Sequence, residues 1–527
     1  MLPLEHMTIR DFIRRSVIRY PDRPALKHGG VSVSYSELEK KIIEYAARLL
    51  ALGIRKGDRV GLIAEPDNES VTAMLAIQYI GAVSVMINTS LSPEDYLSQM
   101  EDINSRHLLL GRSFKAADQY AVQLNAHGVP SFVRSISCLG ESGDCYPAFS
   151  SLRACDAAAV ETAADLVTPE DTAMILFTSG STSRPKAVCT SHYSRINSGI
   201  QQADDLHCSC TDAFCIAMPM FHCFCISANI MAALSVGACI CMPKDRHTAS
   251  IISTVRECGC TVLSSVPTMF RALLSKSDFD AANFSTVRIG IIAGAGYSPE
   301  DFVKIDAAMG PQFTLMSSLG QTECTAGFTV CNTDDSIFVR STTLGHFMSH
   351  VEGKIADIST GEALPAGQVG EICVRGYVTM QCYANNPEQT ALTLDADGWI
   401  HTGDLGMLDE NGNLSIKGRI KELIIRGGEN ISPLAVENAL KKALDFEECK
   451  VVGVPDSHYG EEVCACIVLY PGQSADPEEI RSSLHKYLPA YMVPRYVEFF
   501  SSLPKNSAGK IIIADTAAMA RERLACK

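Results

Sequence analysis

Residues 174–188 read MILFTSGSTSRPKAV. The four apolar residues 174–177 carry the mark of a short buried strand. Six small residues follow, Thr178-Ser179-Gly180-Ser181-Thr182-Ser183, and then Arg184, Pro185 and Lys186. A strand that runs into a small, hydroxyl-rich loop can cradle a phosphate. Backbone N–H groups come close, hydroxyls donate further hydrogen bonds, and a cation balances the charge. A Ser/Thr-rich surface loop is the competing reading of the stretch taken alone. It is no Walker loop, because GxxxxGK[ST] is absent from it.

On both sides of this stretch, strand and helix patterns alternate. The spacing predicts a helix over 36–50, with Leu38, Ile42, Ala46 and Leu49 on one face. Strands are expected at 58–64, 82–87 and 107–110, with helices at 69–80 and 93–103. After the loop, strands are expected at 213–218, 238–242, 261–265, 287–293 and 313–318, with helices at 248–257 and 299–309 between them. This rhythm implies α/β architecture, with parallel sheets covered by helices. Residues 112–170 are less regular and are expected to be an exposed connection. Gly and Asn-Gly turns punctuate short strands over 350–417, which predicts a small β subdomain. The last ~110 residues have their own α/β pattern, with helices at 433–444 and 476–487 and strands at 450–454 and 463–469. A domain boundary is placed near 419–421.

The chain has 527 residues, 46% of them hydrophobic, enough for several cores. Lys and Arg total 45 against 60 Asp and Glu, a net charge of −15. That balance argues against a nucleic-acid surface. Of the 21 cysteines, several form CxC pairs: Cys208/Cys210, Cys239/Cys241, Cys258/Cys260 and Cys464/Cys466. Zinc sites favour CxxC with a second pair, so buried free thiols in a reducing cytoplasm are expected. The opening MLPLEHMTIRDF has no apolar core of a secretory signal. Residues 221–243 contain no Lys, Arg, Asp or Glu. They are interrupted by His222, Asn229 and Gly237, so a buried helix and strand are expected rather than an integral membrane segment. No oligomeric state follows from the sequence.

Several candidate site residues stand just after predicted strands, where parallel sheets bind ligands. His222 closes Pro219-Met-Phe-His222, although a lone histidine there can equally be structural. Gly294, Ala295 and Gly296 could let a flat ligand approach the backbone, or could be a plain turn. In the segment SLGQTE (318–323), Thr322 can donate to a phosphate and Glu323 can hold a hard divalent cation. In DGWIHTGDLG (397–406), Asp404 suits two vicinal ribose hydroxyls, and Arg419 suits the same sugar or a phosphate. Gly427 and Gly428 form a loop ahead of the helix expected at 433. Lys510 lies on a glycine turn near the C-terminus, within PKNSAGK.

Taken in order, TSGSTSRPK, PMFH, SLGQTE, GEICVRG (370–376), DGWIHTGDLG, GRIKELIIRGGENISP and PKNSAGK resemble the adenylate-forming (AMP-binding) acyl-CoA synthetase family over essentially the whole chain. The resemblance implies a large N-terminal domain (1–418) of parallel-sheet α/β subdomains plus a small β subdomain, followed by a small mobile α+β C-terminal domain (419–527). It implies an ATP-dependent carboxylic acid–CoA ligase: acid and ATP give acyl-AMP and pyrophosphate, then coenzyme A gives acyl-CoA and AMP. By this likeness Thr178, Ser179, Gly180, Ser181, Thr182 and Lys186 wrap the β- and γ-phosphates. Thr322 contacts the α-phosphate and Glu323 holds Mg2+. Residues 294–296 lie along adenine, Asp404 and Arg419 hold the ribose, and His222 borders the acyl pocket. Lys510 is the catalytic lysine of adenylation. Lys421 is the hinge of a rotation that carries Gly427 and Gly428 inward for the coenzyme A step.

The sequence departs from the family pattern at Ser183 and Ala187, where glycine is usual, and at Leu319, where an aromatic is usual. Cys225 and Cys382 also replace glycines, and Gly296 stands at a common proline position. If the backbone needs φ > 0 at Ser183, strain of about 1–2 kcal/mol is expected there. An adenylating module that loads a carrier protein's phosphopantetheine is the nearest rival function. His222 stands where amino-acid adenylation modules resemble having an aspartate, which disfavours an amino-acid substrate. A catalytically silent nucleotide-binding protein is the third reading. Cys223 and Phe224 point to an apolar pocket for a fatty or aryl acid.

Overall fold

The structure is a computed structural model that describes residues 2–111, 119–140, 145–178, 185–276, 279–505 and 511–525. Ser179, Gly180, Ser181, Thr182, Ser183 and Lys510 lie outside the described residues. The chain divides into two compact units.

The first unit comprises Met1–Gly353, Val374–His401 and Gly412–Leu414. Among the described residues it holds two large sheets. One has seven strands in the order Cys382–Tyr383, Lys186–Ser191, Thr172–Thr178, Val83–Met86, Arg59–Ile63, His107–Leu110, Ser135–Cys138. Its inner strands run parallel, and the first two of that order are antiparallel additions. The other sheet has nine strands, with a parallel centre of Pro24–His28, Cys239–Met242, Ala213–Cys215, Val262–Leu263, Ile289–Ile292 and Thr314–Gly320. The strands Val31–Ser34, Gly327–Val330 and His346–Phe347 extend it antiparallel at the edges. Central strands such as Ile289–Ile292 are buried throughout, as expected where helices cover both faces.

Local sequence explains the helices. Tyr35–Ala51 begins in a capping box of Ser34 and Glu37 and buries Leu38, Ile42, Ala46 and Leu49 completely. Asn68–Tyr79 is apolar nearly all round, and apart from Glu69 it is wholly buried. The uncharged stretch 221–243 folds as the short helix Cys223–Cys225, a π-helical turn Ile226–Met231, the helix Ala232–Val236 and the strand Cys239–Met242. Gly237 ends that helix at φ +75°, where a β-carbon would lie 2.0 Å from the Tyr20 ring. The expectation for 112–170 is corrected. That stretch contributes the helices Gln119–His127 and Ala157–Ala164, and the strand Ser135–Cys138 extends the parallel sheet beside His107–Leu110.

The second unit comprises Lys354–Cys373, Thr402–Asn411 and Ser415–Lys527. The β-rich stretch forms a four-stranded sheet in the order Val351–Ala356, Gly370–Gly376, Ile400–Leu408, Leu414–Arg419. The C-terminal residues build a sheet around the long hairpin Glu448–Asp456 and Gly460–Val468. In the second hairpin strand alternate residues serve two cores. Val463, Ala465 and Ile467 pack with Val436, Leu440, Ile480 and Leu484, while Cys464, Cys466 and Val468 pack with Ala520. The Gly427-Gly428 loop stands ahead of the helix Pro433–Ala443 as expected, and it is the turn of a tight hairpin. Arg426 pairs with Glu429, with Gly427 at φ 60° and Gly428 at φ 90°. Two consecutive positive φ values make the type I′ turn that suits a two-residue hairpin.

Cys239, Cys241, Cys464 and Cys466 sit buried in strands, and the described cysteines are free thiols. Among the described residues no helix is long and apolar enough to cross a membrane.

Candidate active site

The parallel strands of the nine-stranded sheet present their carboxyl ends along one edge, where parallel sheets bind ligands. Pro219-Met-Phe-His222 follows Ala213–Cys215, residues 294–296 follow Ile289–Ile292, and Thr322 and Glu323 follow Thr314–Gly320. Gly294, Ala295 and Gly296 form an exposed ledge with Gly294 at φ +80°. His222 is exposed, its ring 4.5 Å from that of Phe221. Beside it, the Cys223 Sγ lies 3.9 Å from the Thr322 Oγ1. Burial pushes the Cys223 thiol up, so it stays protonated.

The turn that carries Thr322 and Glu323 is tightly made. A β-carbon at Gly320 would lie 2.0 Å from the Ala326 carbonyl oxygen, so only glycine fits there. The 3-10 turn Thr322–Cys324 ends at Thr325, a non-glycine residue at φ 61°. Such a backbone costs about 1–3 kcal/mol and persists only where its surroundings hold it. Here the Thr325 hydroxyl donates to the Val378 carbonyl at 2.6 Å, and its own carbonyl accepts from the Ser227 hydroxyl at 3.1 Å. The Met380 N–H donates to the Glu323 carbonyl at 2.8 Å.

The same segment reaches the second sheet. Tyr383 stands opposite Val188 in the short antiparallel pair, and its hydroxyl donates to the Glu323 Oε1 at 2.7 Å. Burial, and then the Glu323 charge, hold the Tyr383 hydroxyl far above its ordinary titration range, so it remains a donor. The Lys186 ammonium lies 4.7 Å over the Tyr383 ring. Lys186 is the cross-strand partner of Thr178, the last residue of Thr172–Thr178. Thr178, Lys186, Tyr383 and Glu323 thus follow one another across the gap between the two sheets.

The structure accommodates the substitutions at Ala187, Leu319, Cys225 and Cys382. Ala187 lies in a regular strand opposite Phe177, its side chain buried, so no left-handed backbone is needed there. Leu319 is a strand residue whose N–H donates to the Thr329 hydroxyl at 3.2 Å. Cys225 is fully buried, its thiol directed at the Met218 carbonyl, and Cys382 faces Cys189 across the strand pair.

The remaining candidates belong to the second unit. Asp404 is 3% exposed, and the Arg419 Nε lies 2.8 Å from its Oδ1. The Asp404 N–H donates to the Thr402 hydroxyl, and the Gly403 N–H donates to the Glu371 carboxylate at 2.9 Å. Lys421 is exposed in the 3-10 turn Ile420–Glu422. The structure therefore gathers Thr178, Lys186, His222, Gly294, Ala295, Gly296, Thr322 and Glu323 in the first unit, and Asp404, Arg419, Lys421, Gly427 and Gly428 in the second. Tyr383 has no sequence signal of its own, since a strand tyrosine is ordinary; only the pairing with Lys186–Ser191 places it.

Comparison with known proteins bears on these positions. Residues 13–384 match the model of the AMP-binding enzyme family, and residues 435–510 match the AMP-binding enzyme C-terminal domain. The chain is 32% identical to the putative acyl-CoA synthetase YngI of Bacillus subtilis (strain 168), covering 97% of this chain and 96% of that protein. It is 29% identical to the mitochondrial medium-chain acyl-CoA ligase ACSF2 of Bos taurus, over 97% of this chain and 87% of the relative. In fold it resembles the anthranilate CoA ligase AuaEII in complex with anthranoyl-AMP, with a TM-score of 0.83, 24% identity and coverage of 99% of each chain.

Proposed function

The chain belongs to the AMP-binding enzyme family, and we propose that it is an AMP-forming ligase that joins an apolar carboxylic acid, fatty or aryl, to coenzyme A. The observation that carries this reading is the run from Thr178 and Lys186 through Tyr383 to Glu323, with Thr322 and Cys223 beside it. A cation, a hydroxyl and a carboxylate along one strand-end edge are what binding a polyphosphate with a hard cation requires.

In the first step a carboxylate oxygen attacks the α-phosphorus of ATP and the bond to pyrophosphate breaks. Thr178 and Lys186, with Ser179, Gly180, Ser181 and Thr182, hold the β- and γ-phosphates, and Thr322 donates to the α-phosphate. Glu323 suits Mg2+: its Oε1 is oriented by Tyr383, and a carboxylate has a second oxygen to offer a hard cation. A bound Mg2+ would neutralise phosphate charge. Residues 294–296 border adenine, and Asp404 and Arg419 take the ribose. Lys510 stabilises the charge that develops on phosphorus, a contact whose loss typically costs about 2.7–4 kcal/mol.

In the second step the coenzyme A thiolate attacks the acyl carbonyl, and the bond to AMP breaks. A rotation of residues 419–527 about Lys421 against residues 1–418 would withdraw Lys510 and bring Gly427 and Gly428 toward the pantetheine arm. His222, Phe221, Cys223 and Phe224 border the acyl chain. The likeness to the Bos taurus medium-chain acyl-CoA ligase supports medium-chain fatty acids as the first acids to try. The free thiols suit the reducing cytoplasm as its location.

The test is a competition among mixed fatty and aryl acids with ATP, Mg2+ and coenzyme A, read by mass spectrometry of the thioesters. Thioesters of apolar acids are expected. Acyl transfer only to the phosphopantetheine of a carrier protein would defeat the ligase reading, and absence of any acyl-adenylate would favour a silent nucleotide-binding protein.

A further inference from the structure

The helix His192–Asp205 contains a charge that the reaction described above does not use. Arg195 is 1% exposed and is the bulkiest fully buried side chain among the described residues. Its Nε donates to the Thr190 hydroxyl at 2.9 Å and its Nη1 to the Ser227 hydroxyl at 2.9 Å, while the buried Nη2 has no acceptor among the described residues. Among the described residues no carboxylate forms an ion pair with it, and the titratable group whose charge acts on it is the Cys223 thiol. Other interior arginines are paired, Arg340 with Asp306 and Arg288 with Asp212. Burial pulls the Arg195 guanidinium down only to about 10, so it is charged at neutral pH. An unpaired buried ion is strongly unfavourable unless an opposite charge arrives to meet it.

Two short routes connect this charge to the turn after Thr314–Gly320. Ser227, which accepts from Arg195, donates onward to the carbonyl of Thr325, the strained residue two positions after Glu323. Cys223, which is coupled electrostatically to the guanidinium, lies 3.9 Å from the Thr322 hydroxyl. Both neutral links leave the charge intact; one ends at Thr325, two residues after Glu323, and the other at Thr322, the residue proposed to meet the α-phosphate.

We propose that Arg195 is a positioning residue for adenylation: through Ser227 it fixes the turn of residues 322–325, and it lends that turn a buried positive charge which the bound phosphates and the substrate carboxylate balance. This rests on the adenylation reading of the site. A charge beside a reacting anion in a poorly solvated interior acts strongly, so its removal is expected to slow exchange of pyrophosphate into ATP at least tenfold. Stability should move the other way, because replacing an unpaired buried ion with an apolar side chain is neutral or stabilising.

The experiment compares acid-dependent ATP–pyrophosphate exchange and thermal midpoint for the full-length wild type, Arg195→Met and Arg195→Lys. Arg195→Met is expected to keep or raise the midpoint while exchange falls at least tenfold. A structural arginine would lower both together, which overturns the inference, as does exchange within threefold of wild type. If Arg195→Met does not fold, Arg195→Lys decides. A buried lysine titrates below its usual value, so its activity should fall as pH rises from 7 to 9 where the wild type stays level. A profile parallel to wild type, at whatever height, overturns the inference. Absence of exchange in the wild type overturns both this inference and the adenylation reading, whereas full exchange in Arg195→Met overturns this inference alone.

Discussion

Replacing Tyr383 by Phe removes one oxygen and nothing else from the line that joins the two sheets. The ring remains under the Lys186 ammonium at 4.7 Å, while the 2.7 Å hydrogen bond to the Glu323 Oε1 is lost. A hydrogen bond to an ionised acceptor contributes about 1.5–3 kcal/mol. Glu323 is only half-buried, so water can replace part of the lost donor, and the lower figure applies. About 1.5 kcal/mol corresponds to roughly a tenfold effect. The carboxylate then loses its fixed orientation toward the cation. The free Mg2+ concentration that supports half-maximal ATP–pyrophosphate exchange should rise about tenfold, with a smaller change in the maximal rate. Tyr383→Leu also removes the platform under Lys186, a cation–π contact of about 0.5–1 kcal/mol, so the KM for ATP should rise by a further two- to fivefold or so. An unchanged Mg2+ dependence in a folded Tyr383→Phe variant would refute the role given to this hydrogen bond.

Further outcomes follow from other groups. Lys510→Ala should reduce acid-dependent exchange roughly 100- to 1000-fold yet still convert supplied acyl-adenylate and coenzyme A to thioester; equal loss of both steps contradicts its assignment. His192 is fully buried, and its Nδ1 accepts the Ile9 N–H at 3.2 Å, which requires the neutral ring. Burial pushes it down to about 4. Its contribution to stability is therefore complete above the ordinary histidine value and is lost as pH falls, by about 2 kcal/mol between pH 6.5 and 5. Urea midpoints of wild type should drop more over that interval than those of His192→Asn, and parallel drops would contradict this. Lys450 lies between Glu437 at 3.2 Å and Glu422 at 3.5 Å. Burial opposes its charge, but the two carboxylates outweigh it and raise its pKa. Lys450→Met should cost the C-terminal residues about 3–5 kcal/mol of stability in a denaturation series, since two half-buried acids lose their partner.

Much of the architecture was readable because the signals were local. Leu38, Ile42, Ala46 and Leu49 repeat at helical spacing and are all fully buried. The motif residues Thr178, Thr322 and Gly294 stand at or just after the ends of short apolar strands, and a parallel sheet brings such ends to one edge. What escaped was set by distant partners. Ser135–Cys138 is only four residues, Ser-Ile-Ser-Cys, too short a pattern to read alone, and its pairing with His107–Leu110 makes it a strand. The loop at Gly427 and Gly428 was readable, but the pairing of Arg426 with Glu429 that makes it a hairpin turn was not. Tyr383 meets Glu323 from 60 residues away through a two-residue edge strand. Arg195 would be placed at a helix surface by any residue count, yet it is buried with the hydroxyls of Thr190 and Ser227 as acceptors.

The most direct test of the account is acid-dependent ATP–pyrophosphate exchange by the full-length protein compared with Glu323→Gln, which keeps an acceptor for Tyr383 but removes the charge. Exchange supported by apolar acids in the wild type, and lowered at least tenfold in a variant of unchanged thermal midpoint, is the predicted result. Exchange that survives in Glu323→Gln at the wild-type rate and Mg2+ dependence would contradict it.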